Sequence, residues 1–310
     1  MKKLGKNVAA SRLALILNES KKLQIPYEML LRRYAFDRFL HRMVASEEQG
    51  KLVLKGAMAL YAYSKELIRP SKDIDFLGNA ITPENVLPIV TAIANTPAGE
   101  DDGIEFDVST FVAEPIQVQD EESGTRVTGI ARMGNTRIPL KIEVSFGHLV
   151  TPEPNFVTIP TIIPGEREIK VLAYTRETIF AEKFQTVIVR GVGNTRIKDF
   201  FDLRALKRTQ FLDGGVVVAA FEATFGRRET EIPSVSPPAF QDDFIRDYGT
   251  KAWSNFLRKS GIQEKSDFKS VVEEIEPFCM SFAEMALGMR EIEDWTPGEG
   301  FTVRAKSFSM

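Results

Sequence analysis

Between residues 104 and 146 the chain keeps a two-residue period. GIEFDVSTFV, TRVTGIARM and TRIPLKIEVSFG each alternate apolar and polar residues, the repeat of a strand with one buried face. Gly134-Asn135 between the last two predicts a tight hairpin turn. Helical spacing dominates before and after. Residues 8–47 read as two helices separated by Pro26, with Met29, Leu30, Tyr34, Phe36 and Leu40 recurring on one stripe. RETIFAEKFQTVIVRG, IKDFFDLRALKRTQ, GGVVVAAFEATFG, FIRDYGTKAWSNFLRK and FKSVVEEIEPFCMSFAEMAL follow as further helices. The expected class is therefore α+β. Pro152, Pro154, Pro160 and Pro164 mark a loop-rich passage, predicting one domain over 1–165 and an α-helical one over 166–310. The tail after Trp295 is polar and is expected to be loose.

Composition removes several function classes. Of 310 residues, 43% are hydrophobic and 27% charged, which is globular usage. The net charge of -3 gives no global signal for nucleic acid, although a local basic patch suffices. Cys279 is the single cysteine, so neither an intrachain disulfide nor a cysteine zinc site is available. His41 and His148 are the two histidines, too few for most histidine-based metal chemistry. The basic N-terminus is interrupted by Ser11, Arg12 and Asn18, and reads as an amphipathic helix rather than a signal peptide. No run reaches the roughly 20 apolar residues of a membrane span. The expected location is cytoplasmic.

The stretch RPSKDIDFLG carries the chemistry. In a strand, residues two apart share a face, so Asp73 and Asp75 point together while Ile74 and Phe76 point to the core. Adjacent carboxylates repel unless a cation lies between them. The pair is either a seat for a hard divalent cation such as magnesium or decoration of a solvent face. Upstream, KLVLKGAMALYAYS runs from a short strand through Gly56 into a helix, a turn at which backbone can approach a phosphate. Downstream, Glu143 in LKIEVSFG is a third acid on another strand, sharing its face with Lys141 and Ser145. Further on, Lys183 interrupts the apolar stripe of Ile179, Phe180, Phe184, Val187 and Ile188. It either snorkels past its neighbours or reaches a phosphate as a point charge. Asp199 and Asp202 in KDFFDL share a helix face. They orient Lys183, pair with Arg196 and Lys198, or stabilise the helix N-terminus.

In their order, LVLKGAMALYAY, RPSKDIDFLG, LKIEVSFG and the block ETIFAEKFQTVIVRGVGNTRIKDFFDL resemble the AbiEii/AbiGii toxin family. That family lies within the nucleotidyltransferase superfamily with a DNA polymerase β-like core. The resemblance covers roughly residues 25–230. It implies a nucleotidyltransferase core, a mixed twisted sheet flanked by helices. N-terminal helices and an α-helical C-terminal domain that completes the active-site cleft accompany it.

The activity implied is attack on the α-phosphate of a nucleoside triphosphate, with Mg2+ as cofactor. By the same analogy Asp73 and Asp75 hold magnesium, and Glu143 is a further ligand or the group that activates the attacking hydroxyl. Lys55, Gly56, Ala57 and Ser71 contact the nucleotide. Lys183 binds the triphosphate, and Asp199 and Asp202 are the family's C-terminal acids, Asp199 with the catalytic set and Asp202 with the nucleotide-binding one. The implied acceptor is the 3′ end of tRNA, and the implied partner is a winged-helix antitoxin encoded alongside. Gly56-Ala57 departs from the commoner double glycine, and Glu143 stands where aspartate is more frequent in the wider superfamily.

A tRNA acceptor requires cations for its phosphates. Arg190, Arg196 and Lys198 are candidates, with Arg204, Lys207 and Arg208 in the same segment and Arg32, Arg33, Arg42, Arg227 and Arg228 elsewhere. Solvated helix faces carry such charges too. Alternatives on the same fold are transfer to a protein hydroxyl, including Ser71 itself, transfer to a small molecule, or nucleotide or partner binding without catalysis.

Overall fold

A computed structural model of the chain describes residues 7–64, 69–118, 122–147, 150–190 and 196–303. His148 lies outside them. The elements in order are α1 (Val8–Leu23), α2 (Tyr27–Ala45), β1 (Leu52–Lys55), α3 (Gly56–Ser64), β2 (Ile74–Gly78), α4 (Pro83–Asn95), β3 (Glu105–Val118), β4 (Glu122–Met133) and β5 (Thr136–Phe146). After these come β6 (Asn155–Ile159), β7 (Ile169–Ala173), α5 (Arg176–Arg190), α6 (Lys198–Thr209) and α7 (Gly214–Arg227). The last are α8 (Asp242–Phe244), α9 (Thr250–Ser260), α10 (Phe268–Ala286), β8 (Glu293–Thr296) and β9 (Gly300–Val303). Two compact units result: Met1–His148 with Asn155–Ala173, and Leu149–Pro154 with Tyr174–Met310.

The first unit is built on a seven-stranded mixed sheet of order β3-β4-β5-β2-β1-β7-β6. The predicted hairpin is present: Met133 pairs with Thr136, and Gly134 takes a φ of +56° between them. That left-handed conformation costs glycine little. Along β5 the alternation is kept, with Ile138, Leu140, Ile142 and Val144 buried and Lys141 and Glu143 on the other face. Helix α2 packs on β5 and β7. Its Phe39 ring lies 6.4 Å from Phe76 and 6.0 Å from Phe106. Ile74 and Phe76 therefore face the core, and Asp73 and Asp75 take the opposite face, as the sequence alternation predicts.

Three elements of the first unit were not expected. Helix α4 buries Val86, Ile89, Val90 and Ile93, although Pro88 lies inside it. β6 and β7 pair with each other, and β7 also pairs with β1. The sheet therefore runs past residue 165, through the proline-marked passage.

The second unit is helical around a cluster of rings. Phe180 lies 5.1 Å from Phe278 and 5.2 Å from Phe221, and Phe200 lies 5.1 Å from Phe268. The expected loose tail is corrected here: β8 and β9 form a hairpin, Trp295 opposite Phe301. The Trp295 ring packs 4.9 Å from Phe278, and Phe301 packs 5.1 Å from Phe282. The Trp295 indole N–H donates to the Lys207 carbonyl at 2.8 Å. Two aromatic residues thus outweigh the polar composition around them.

Candidate active site

The acids sit in a row of charges that crosses the sheet. Register places Lys55 beside Asp75, Asp75 beside Glu143, Glu143 beside Arg126, and Arg126 beside Glu114. Lateral neighbours in a pleated sheet project from the same face, so these five side chains form one row. Signs alternate along it except at the step from Asp75 to Glu143. Like charges directly opposite destabilise a sheet, so this step is where extra positive charge is needed.

Lys141 supplies it from one repeat along β5. Its Nζ lies 2.8 Å from Glu143 Oε1 and 3.2 Å from Asp73 Oδ2. Burial alone would lower the lysine pKa. The hydrogen bond to Glu143 and the charges of Asp73 and Glu143 outweigh that, and the pKa is raised. Arg126 holds Glu143 from the other side through Nε and Nη2, each at 2.9 Å, and reaches Glu114 at 3.1 Å. The Ser71 hydroxyl donates to Asp73 Oδ1 at 2.9 Å, which fixes that carboxylate at the entrance to β2.

Gly56 begins α3 with a φ of +68°. A β-carbon there would collide with Asp75 Oδ2 and lie 3.1 Å from its Cγ. The turn therefore brings backbone against the acid, a closeness that only glycine permits. Ala57 and Ser71 line one small recess with Arg69 and Tyr61. Lys55 ends β1 and is buried.

The donor set fits a hard cation, since all its atoms are carboxylate oxygens gathered at a like-charge step of the sheet. Among the described residues, no group of three or more acids, histidines or cysteines converges closely enough to hold a metal ion. Glu143, expected with the metal ligands, is clasped by Arg126 and Lys141. Two carboxylates are sufficient for magnesium when phosphate oxygens and waters complete the shell, and Asp73 with Asp75 meets that need.

Lys183, Asp199 and Asp202 meet in the second unit. Lys183 Nζ lies 3.1 Å from Asp199 Oδ1 and 2.5 Å from Asp202 Oδ2. Exposures of 8%, 3% and 0% make this a buried triad joining α5 to α6, not a snorkelling lysine. Arg196 approaches Asp199 Oδ2 at 3.6 Å.

Several cations of the same unit are engaged internally. Arg204 binds Glu264 and Glu274, Arg208 binds Glu274, and Lys207 donates to the Glu274 carbonyl. Arg227 and Arg228 bind Glu182. In the first unit Arg33 binds Asp37 and Arg42 binds Asp102. Lys198 and Arg190 lie at the start of α6 and the end of α5. Arg126 was missed by sequence reasoning. Counting outward from the Gly134-Asn135 turn would have placed it opposite Glu143.

The model of a family described as "Nucleotidyl transferase AbiEii toxin, Type IV TA system" matches residues 38–274, more than half of the chain. The chain belongs to the AbiEii family. Its AbiEii segment contains Asp73, Asp75, Glu143, Lys183, Asp199 and Asp202. That family is one of nucleotidyltransferase toxins of type IV toxin–antitoxin systems. Among solved structures, a candidate nucleotidyltransferase from H. pylori shares the fold. It has a TM-score of 0.50 at 17% identity, covering 86% of this chain and 100% of that one. JHP933 from Helicobacter pylori has a TM-score of 0.49 at 16% identity and covers 86% and 96%. No curated protein matches the AbiEii chain. Among the described residues no helix is long and apolar enough to cross a membrane.

Proposed function

We propose that this AbiEii chain transfers a nucleotidyl group from a nucleoside triphosphate to the 3′ end of tRNA, with Mg2+ held by Asp73 and Asp75. The observation that carries the reading is the like-charge step from Asp75 to Glu143 beside Gly56, in a family of nucleotidyltransferases. Bound magnesium would polarise phosphate oxygens and offset developing charge. The residues of the chain do the positioning. Ser71 orients Asp73, and the Gly56 turn lets backbone come close to phosphate. Glu143 accepts the proton of the attacking hydroxyl once Lys141 is drawn from it by the incoming phosphates. The acceptor oxygen bonds to the α-phosphorus, the bond from that phosphorus to the β-phosphate bridge breaks, and pyrophosphate leaves. We extend the reading to Lys183 as a triphosphate cation, with Asp199 and Asp202 orienting it. The partner is an antitoxin, of winged-helix type.

The test is incubation of the purified protein with labelled nucleoside triphosphates, magnesium and total tRNA. Labelled tRNA formed by the wild type, with loss of about a thousandfold in Asp73→Asn and Asp75→Asn, is the expected result. No turnover in any condition, with growth inhibition unchanged in Asp73→Asn, sinks the reading. Ser71 gives a second reading some support, because its hydroxyl already bonds to Asp73. Label found on the protein and absent from Ser71→Ala would assign self-modification instead.

A further inference from the structure

Arg32, Lys72 and Lys141 line one cavity of the sheet-bearing unit, about 470 Å³ in volume, together with Thr110, Thr128 and Pro139. No acidic residue is among its lining residues. Three cations around one space are notable in a chain whose net charge is -3. Other arginines of α2 are satisfied elsewhere: Arg33 by Asp37 and Arg42 by Asp102. Among the described residues, Arg32 and Lys72 have no ion-pair partner. Lys72 immediately precedes Asp73, and Lys141 is bonded to Asp73 and Glu143. The cavity therefore begins where the acid cluster ends.

Arg32 and Lys72, which have no ion-pair partner among the described residues, add repulsion around this hollow, and an anionic ligand removes it. The volume falls in the range of small-molecule sites and exceeds the need of a single phosphate. Thr110 and Thr128 add hydroxyls, and Pro139 and Leu140 add an apolar surface on which a ribose or base can rest.

We propose that this cavity is a phosphate subsite continuous with the acid cluster, held by Arg32 and Lys72 with Lys141 at its inner wall. Two sources share that chemistry: the outer phosphates of a nucleoside triphosphate and the phosphodiester backbone of an RNA strand. The inference rests on the proposed function for its ligand class, but its test does not need turnover.

Binding of a labelled nucleoside triphosphate and of a labelled single-stranded oligoribonucleotide is measured across a salt series. The proteins are wild type, Arg32→Glu, Lys72→Glu, the double variant, and Lys251→Glu as an exposed control. The double variant is expected to bind one of the ligands at least about tenfold more weakly. If that ligand is the RNA, the slope of log affinity against log salt becomes shallower by about 0.7 per lost contact. Loss confined to the triphosphate assigns the subsite to it, and loss confined to the oligonucleotide assigns it to the strand. Should the double variant fail to fold, the glutamine pair takes its place.

Unchanged binding of both ligands overturns the subsite, as does an equal loss in Lys251→Glu. A wild type that transfers no nucleotide, while the charge variants lose binding, topples the transferase reading and leaves the subsite standing.

Discussion

Gly56 and Asp75 are packed so closely that no side chain fits at residue 56 without moving the carboxylate. The +68° φ adds a second penalty, because a side chain in that conformation costs about 1–2 kcal/mol. Gly56→Ala is expected to lower turnover about a hundredfold, as a displacement of about 1 Å at a reacting centre does. The melting temperature should fall only a few degrees. Kinetics with circular-dichroism melting check this, and a variant with normal turnover would remove Gly56 from the site.

Lys141 stands on Asp73 and Glu143, so a metal held as proposed by Asp73 and Asp75 would have to compete with it for Asp73. Lys141→Met should leave the metal-free protein less stable. It should bind Mn2+ about tenfold more tightly than wild type, one charge–charge contact having been removed. Thermal melting with and without Mn2+, and direct Mn2+ titration, read the two effects. Mn2+ affinity equal to wild type would show that the lysine does not compete.

The triad of Lys183, Asp199 and Asp202 is a fold element whatever else it does. Lys183→Met removes the cation shared by two buried carboxylates, a loss of about 3–5 kcal/mol. In a unit of this size that is roughly 10 °C of melting temperature. If Lys183 also binds triphosphate, the variant should have a raised KM for nucleotide at temperatures where it remains folded. A stable variant with an unchanged KM would contradict both roles.

Glu274 gives the helical unit a dependence on acid. Burial raises its pKa, but hydrogen bonds from Arg208 and Arg204 outweigh burial and hold it below its ordinary value of 4.5. Stability from a lowered carboxylate pKa is present above the unfolded value and is lost as pH falls through the folded one. Glu274→Gln should therefore melt about 5 °C below wild type near neutral pH. That gap should shrink steadily from about pH 4.5 downward. A gap independent of pH would show that the glutamate acts by packing.

Much of the sheet was legible because alternation is a local signal. The β4–β5 hairpin could be read from Gly134-Asn135, and the facing of Asp73 and Asp75 from Ile74 and Phe76. Helix α4 was hidden by Pro88, and β6 and β7 by the prolines around them. The partners of the basic residues were hidden for a different reason. Arg204 meets Glu264 and Glu274 across 60 and 70 residues of sequence, and no local pattern announces such a partner. Trp295 and Phe301 were likewise unreadable as a clamp until Phe278 and Phe282 were known to lie beneath them.

That clamp bears on how the protein is made. The Asp294 carboxylate accepts from the Gly214 N–H at 2.9 Å, and Leu212 bridges to Trp295. Helix α7, capped locally by Asp213, thus receives a second N-terminal acceptor, and the ring cluster its last members, from residues translated about eighty positions later. A ribosome partway through this message holds a helical unit that cannot yet close. In a chain of a toxin family, the helical unit therefore waits for residues 293–303 before its ring cluster is complete.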